Sequence, residues 1–380
     1  LIGTILNWAI VSGRLRRYTI RANNSMTLPK YLENRFEDKH KIMLLVSSVA
    51  IVIFFLVYTA SALSAGGKLF NSIFGIDYKI CLTIGAVVIL GYTFMGGFMA
   101  VCVTDFVQGL LMLAGVVTIP IIAFFLVGAG NVMDNITASG VEAHHYLNIF
   151  NDEKGQTLSA IDIISQLGWA LGYFGMPHIL LRFMAIEDEK KLKLSRRVAS
   201  IWVVISLSVA VFIGIVGYGM SKAGALDILT GSNSETIIVK IAHLLSTHGV
   251  IAAIAAGVIL AGILAATMST SDSQLLAAAS GISQNLVREC MGVKLSEKAA
   301  LIVARITVVI ISIVAVFMAG NPDSSVFEIV SFAWAGFGAT FGPVVLLSLF
   351  WRRANKYGAI SGMISGGIMI FLWKYVISGF

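Results

Sequence analysis

Residues Gly249–Leu286 read GVIAAIAAGVILAGILAATMSTSDSQLLAAASGISQNL. The stretch opens as an apolar run of the roughly 20 residues that one helical membrane crossing needs. It then sets Ser269, Thr270, Ser271, Asp272 and Ser273 side by side. A carboxylate at membrane depth has to face protein or a water-filled cavity, because lipid offers it no partner. A helix that is apolar at one end and hydroxyl-rich further along reads as the wall of an ion or solute path. The segment is too long for a single crossing, so its polar end is expected to continue as helix into the cytoplasm. Small residues at Gly257, Ala261, Ala265 and Ala266 suggest close helix packing along its first half.

The rest of the chain agrees with a membrane setting. Hydrophobic residues make up 57% of it and charged residues 12%, about half the charged share of a soluble domain. The apolar runs are continuous rather than alternating, which selects helices over a barrel. Full spans are expected near 42–65, 79–99, 104–128, 158–181, 197–220, 249–288, 299–319, 326–350 and 357–378, with the end of a truncated one at Leu1–Ser12. The expected architecture is therefore an all-α polytopic membrane protein of about ten spans, a single transporter domain over 1–380.

Basic residues fix the expected orientation. Segments 14–41, 182–197, 288–305 and 351–357 hold 21 of the 27 Lys and Arg residues, leaving Lys68, Lys79, Lys154, Lys222, Lys240 and Lys374 elsewhere. By the positive-inside rule those four segments are cytoplasmic. The net charge of +7 is thus a topology signal and not a nucleic-acid one. Cys81, Cys102 and Cys290 lie far apart, with no disulfide or metal site expected from them. The external loop 129–157 carries Asp134, Glu142, His144, His145, Asp152 and Glu153. Its adjacent histidines read as a solvated surface before they read as metal ligands. No catalytic triad, Walker loop, spaced His/Cys cluster or dinucleotide fingerprint is present, which argues against an enzyme.

Three constellations carry chemistry. A small hard cation such as Na⁺ takes oxygen ligands, and the Ala266 carbonyl lies one turn before Thr270 and next to the Ser269 face. Asp272 and Ser273 continue that face at i+3 and i+4. The alternative is that each hydroxyl merely bonds back to a carbonyl one turn earlier. Next, Gly168-Trp-Ala-Leu-Gly-Tyr-Phe-Gly-Met-Pro177 lies mid-span and is expected to unwind, and broken helices near the midplane expose backbone groups to a substrate. Trp169 and Tyr173 share a face there, and Pro177 follows one turn on; a packing face with a simple proline kink is the alternative. A second interruption is expected at Gly336-Phe-Gly-Ala-Thr-Phe-Gly-Pro343. Finally, Thr104-Asp105 opens the 104–128 span, either as a helix cap or as a cytoplasmic-side cation or gating residue. Arg182 reads as a loop anchor.

Several motifs resemble the sodium/solute symporter family, and within it the sodium/proline members. They are Gly13-Arg-Leu-Arg16, Leu28-Pro-Lys-Tyr-Leu-Glu-Asn-Arg-Phe-Glu-Asp-Lys39, Tyr92-Thr-Phe-Met-Gly-Gly97, Thr104-Asp-Phe-Val-Gln108, Pro177-His-Ile-Leu-Leu-Arg-Phe-Met-Ala185, Ala265-Ala-Thr-Met-Ser-Thr270 and Ala333-Trp-Ala-Gly-Phe-Gly338. The resemblance implies a leucine-transporter-like bundle of two inverted repeats, whose first core helix falls outside this chain. It implies Na⁺ as coupling ion, held by the Ala266 carbonyl, Ser269 and Thr270. It implies a substrate site at Tyr58, Trp169, Tyr173 and Pro177, and cation coupling at Asp105; Asp272, from its place on the Ser269 face, is a further candidate for cation coupling. Met176 stands where close proline members carry Gln, and Asp272 where some relatives carry an uncharged polar residue.

The function implied is alternating-access, Na⁺-coupled import of a small amino acid, most like L-proline, across the plasma (inner) membrane. Its partners would be that solute and the lipid bilayer, with no nucleic acid. Two other classes stay open: the same fold carrying another organic solute such as pantothenate, or the transporter-like sensor domain of a membrane histidine kinase.

Overall fold

A computed structural model describes residues 1–96, 98–127, 129–138, 146–152 and 155–379. Glu142, His144, His145, Glu153 and Lys154 lie outside the described residues. Those described form helices, apart from turns and one isolated antiparallel bridge, Asn151–Thr157.

Ile2–Leu6 (α1) passes through a π-helical turn, Asn7–Val11, into Ser12–Arg21 (α2). Leu28–Arg35 (α3) is a short connecting helix. Ile42–Phe74 (α4), Tyr78–Gly96 (α5), Phe98–Val127 (α6) and Ala129–Ala138 (α7) follow. Ala160–Gly172 (α8) and Pro177–Ala185 (α9) are the two halves of one broken helix. Then come Leu192–Lys222 (α10), Ile237–Ser246 (α11), Val250–Ser280 (α12), Glu297–Met318 (α13), Val326–Phe350 (α14) and Lys356–Tyr375 (α15).

Six of the described helical stretches are long and apolar enough to cross a membrane: Ile42–Phe74, Val101–Ile119, Glu189–Lys222, Val250–Cys290, Glu297–Met318 and Val326–Phe350. The chain is thus a multi-pass membrane protein. As expected for its length, the hydroxyl-rich helix continues past Ser280 through a π-helical stretch, Gly281–Cys290.

The break between α8 and α9 has a local cause. Met176 precedes Pro177, and the proline ring clashes with the Cβ and N–H of a helical residue before it. Met176 accordingly sits extended, at φ −78° and ψ 107°, and Pro177 starts α9 at its first turn, where its missing N–H costs no hydrogen bond. The expected second break does not occur. α14 runs unbroken through Pro343. Here the preceding residue is Gly342, which has no Cβ for the proline ring to meet. Pro343 still leaves the Ala339 carbonyl without its helical donor. Gly366 of α15 closes on that carbonyl so tightly that a Cβ on it would lie 2.3 Å from the oxygen.

The main core gathers α4, α9, α14 and α15 around Phe54, Phe55, Phe183, Phe337 and Phe341, all essentially buried. A smaller core joins α6, α10, α11 and α12. Against α6, α12 presents Ala256, Ile259, Gly262 and Ala265, and a Cβ on Gly262 would come within 3.1 Å of the Leu111 carbonyl. Gly257 and Ala261 face away from this contact, so of the small residues expected there Ala265 belongs to the close-packed stripe and Gly257 and Ala261 do not.

The basic segments meet at one end of the bundle. Lys30 pairs with Glu289 at 3.1 Å, and Lys41 donates to the Glu289 carbonyl. Arg17 pairs with Glu189 at 3.3 Å, and Arg14 and Arg35 donate to the carbonyls of Leu349 and Ser348.

Candidate functional site

On α12 the side chains of Ser269 and Thr270 converge on one backbone oxygen. Ser269 Oγ donates to the Ala266 carbonyl at 3.2 Å and Thr270 Oγ1 at 2.9 Å. The expected three oxygens are therefore a compact cluster. The back-bonding alternative is equally realised, since Thr267 and Ser271 also donate to carbonyls three and four residues earlier. Both geometries share the same atoms, because a hydroxyl that donates to a carbonyl keeps lone pairs free for a cation. The next turn is tied down by Tyr92 of α5, whose hydroxyl donates to the Met268 carbonyl at 2.9 Å.

Asp105 is not at a helix start. α6 begins at Phe98, which puts Thr104 and Asp105 about two turns inside, and Thr104 Oγ1 donates to the Val101 carbonyl. The cap reading therefore fails. Asp105 Oδ2 instead accepts from Arg182 Nη2 at 2.6 Å and from Ser273 Oγ at 3.2 Å. Arg182 Nη2 also lies 3.1 Å from Ser273 Oγ, and its Nη1 donates to Cys102 Sγ at 2.9 Å. The loop-anchor reading of Arg182 is corrected too: it belongs to α9 and ties that half-helix to α6 and α12.

Asp272 is completely buried; the Ser273 N–H and the Tyr92 hydroxyl are the donors beside its carboxylate, and neither reaches the distance and angle of a full hydrogen bond. A buried ionised carboxylate short of full hydrogen bonds is costly. Its electrostatic neighbours are Asp105, Tyr92 and Arg182. Asp272 and the hydroxyls of Ser269 and Ser273 thus lie on adjoining turns of α12, with Asp105 meeting Ser273 from α6.

Three of the four expected substrate residues, Tyr58, Trp169 and Tyr173, gather around a residue that sequence reasoning did not single out, and Pro177 opens the half-helix that follows. Trp334 of α14 stacks on Trp169, with ring centroids 5.8 Å apart, and meets Tyr173 edge-on at 4.7 Å. Tyr58 of α4 has Trp334 and Tyr173 as neighbours. Its ring also stands 6.2 Å from that of His178, the residue after Pro177. Glycines make the approach possible: a Cβ on Gly172 would come 3.2 Å from the Trp334 ring, one on Gly338 2.9 Å from Gly172 Cα, and one on Gly175 2.3 Å from the Phe337 carbonyl. Asn7, fully buried in the π-helical turn, donates through Nδ2 to the Tyr173 carbonyl at 2.9 Å, a group at the helix break. The sequence signal for Trp334 was its Gly-rich setting, which was taken for a helix break instead of a contact surface.

A cavity of about 330 Å³ runs from Pro177, His178 and Arg182 past Ser273 to Thr27 and Asn285. It joins the substrate cluster and the Asp105–Arg182–Ser273 network to the end of the bundle that carries the basic segments.

The sodium:solute symporter family matches residues 1–366. The chain is 41% identical to the high-affinity proline transporter PutP of Bacillus subtilis, over 98% of this chain and 76% of that protein. It is 40% identical to the osmoregulated proline transporter OpuE of the same organism, over 98% of this chain and 73% of that one. It is 39% identical to the sodium/proline symporter of Escherichia coli, over 98% of this chain and 72% of that one. Among solved structures, the substrate-bound outward-open state of a Na⁺-coupled sialic acid symporter matches with a TM-score of 0.73 and 21% identity, covering 98% of this chain and 77% of that one. That likeness establishes a shared fold.

Proposed function

We infer this protein's function from one premise: the chain belongs to the sodium:solute symporter family. It is a transporter and not an enzyme, and its coupling ion is Na⁺. The solute we assign is L-proline, imported by alternating access. The carrying observation is the cluster of Tyr58, Trp169, Tyr173 and Pro177 around a broken helix, in a chain whose relatives are named as proline transporters. Apolar aromatic walls suit a compact pyrrolidine ring, and a broken helix offers backbone groups to a zwitterion.

The Ala266 carbonyl, Ser269 and Thr270 are assigned to Na⁺, with Asp105 and Asp272 as further cation-coupling groups. The converging oxygens support the first assignment; the buried, poorly satisfied carboxylate of Asp272 supports the second. Arg182 joins the two sites, since it sits five residues after Pro177 and holds both Asp105 and Ser273. Na⁺ and solute would then raise each other's affinity by the same factor, as linkage requires. We further assign a single domain of about ten spans in a leucine-transporter-like arrangement, in the plasma membrane, with segments 14–41, 182–197, 288–305 and 351–357 cytoplasmic. The shared end of those segments supports this orientation.

The test is labelled-proline uptake by the full-length protein in a transport-deficient cell, with Na⁺ against choline. Uptake that needs Na⁺ and is competed by excess unlabelled proline is the expected result. A protein present at the membrane that takes up no proline in either medium would overturn the substrate; competition by pantothenate instead would redirect it.

A further inference from the structure

Four of the aromatic residues around the helix break stack or meet edge-on, which accounts for their rings but not for one polar atom among them. The indole N–H of Trp334 is shut off from solvent and has no acceptor within hydrogen-bond distance and angle. A buried donor left unmade costs free energy, about 1–3 kcal/mol, so its retention at a site calls for an acceptor that arrives from elsewhere. The Tyr58 hydroxyl is the hydrogen-bonding group beside it, short of the distance and angle of a made bond, and a phenol hydroxyl is itself a second donor. The two come from different helices, α14 and α4, and face the same break. Trp334 cannot turn its ring freely, because Trp169 stacks on it at 5.8 Å, Tyr173 meets it at 4.7 Å and Gly172 lies against its edge. The N–H is therefore held in place before any ligand binds.

We propose that Trp334 is a specificity-determining residue, whose indole N–H, with the Tyr58 hydroxyl, receives a carboxylate oxygen of the transported zwitterion. The proposal rests on the proline reading above and deepens it. The carboxylate takes hydrogen bonds from two rigid donors, while the ring of the solute lies against Trp169 and Tyr173. A solute with the same ring but a neutral amide in place of the carboxylate forfeits the charge assistance that makes such bonds strong.

The experiment uses the full-length protein in a transport-deficient cell and compares proline with prolinamide as inhibitors of labelled-proline uptake. The wild type comes first: Na⁺-dependent proline uptake establishes the reading on which the proposal rests, and its absence would sink both before any variant is made. Trp334→Phe keeps an aromatic ring and removes the N–H. It is expected to raise KM for proline about tenfold, equivalent to about 1.4 kcal/mol, and to leave inhibition by prolinamide near its wild-type value. The gap between the two compounds then narrows. A parallel weakening of both compounds would mean that Trp334 only packs the site, and an unchanged KM would mean that its N–H meets no substrate; either overturns the proposal while leaving the proline assignment intact. If Trp334→Phe fails to reach the membrane, Tyr58→Phe decides: a narrowed gap supports the proposal and a wild-type gap overturns it.

Discussion

Arg182 Nη2 and Asp105 Oδ2 lie 2.6 Å apart, joining the second half of the broken helix to α6. The pair is about one-third exposed on the arginine side and one-fifth on the aspartate side, so it is neither a surface pair of negligible worth nor a fully buried one. Because Ser273 completes the triangle, the network also ties the half-helix α9 to α12.

Replacing Arg182 by Gln should leave Asp105 with a single neutral donor, Ser273. The loss is expected to cost about 2 kcal/mol of stability, the scale of a hydrogen bond to a charged group. Asp105→Asn keeps the shape and is expected to affect the Na⁺ concentration for half-maximal uptake more than the melting temperature. Thermal unfolding of the purified protein, set beside Na⁺-dependent uptake, separates the two. Equal melting temperatures for wild type and Arg182→Gln would contradict the structural role.

The glycines at the break should be unequal. A Cβ on Gly175 would meet the Phe337 carbonyl at 2.3 Å, and one on Gly168 meets nothing within 4 Å. Gly175→Ala is expected to push α14 away and to cost about 1–3 kcal/mol, as overpacking does, with loss of uptake. Gly168→Ala, in α8 ahead of the break, should be tolerated. Comparable activity in the two variants would show that the observed closeness does not matter.

The clamp around Glu235 should depend on pH. Glu235 accepts from the N–H groups of Val326 and Phe327, from the Ser325 hydroxyl and from Lys68. Burial pushes its carboxyl upward, but these donors outweigh burial and hold it below its ordinary value of 4.5. A lowered folded pKa means that the charged form is favoured by folding. The contribution is therefore fully present above pH 4.5 and is lost as the pH falls through the lower folded value. The melting-temperature gap between wild type and Glu235→Gln is expected to be largest near neutral pH and to shrink as the pH falls below the ordinary carboxylate range. A gap that stays constant down to pH 3 would rule this out.

Much of this was legible in the sequence, because lipid leaves so few options. Continuous apolar runs marked the helices, and the bias of Lys and Arg grouped the four segments that meet at one end. The break at Tyr173–Pro177 was legible because a residue with a Cβ precedes the proline. The same rule, applied to Gly342-Pro343, would have predicted continuity, since glycine removes the clash; glycine was read there as a breaker when it serves as a contact surface. Thr59 of α4 and Gln274 of α12, buried and bonded at 3.3 Å, were out of reach for a different reason. Which helix faces which is set by tertiary packing, and no periodicity within one helix reports it. The same holds for Arg182, whose place in a charge run pointed to a loop, and for Trp334, whose neighbours come from a helix some 160 residues away in the chain.

The central claim is that the Ala266, Ser269 and Thr270 oxygens hold the Na⁺ that strengthens solute binding at the aromatic cluster. Its most direct test is proline binding to the purified full-length protein as a function of Na⁺, in wild type and in Ser269→Ala/Thr270→Ala. Wild-type affinity is expected to rise with Na⁺, and the double variant should need at least about tenfold more Na⁺ for the same gain, the loss of about 1.4 kcal/mol, while its proline affinity without Na⁺ stays unchanged. A double variant with the wild-type Na⁺ dependence would place the coupling ion elsewhere and contradict the account.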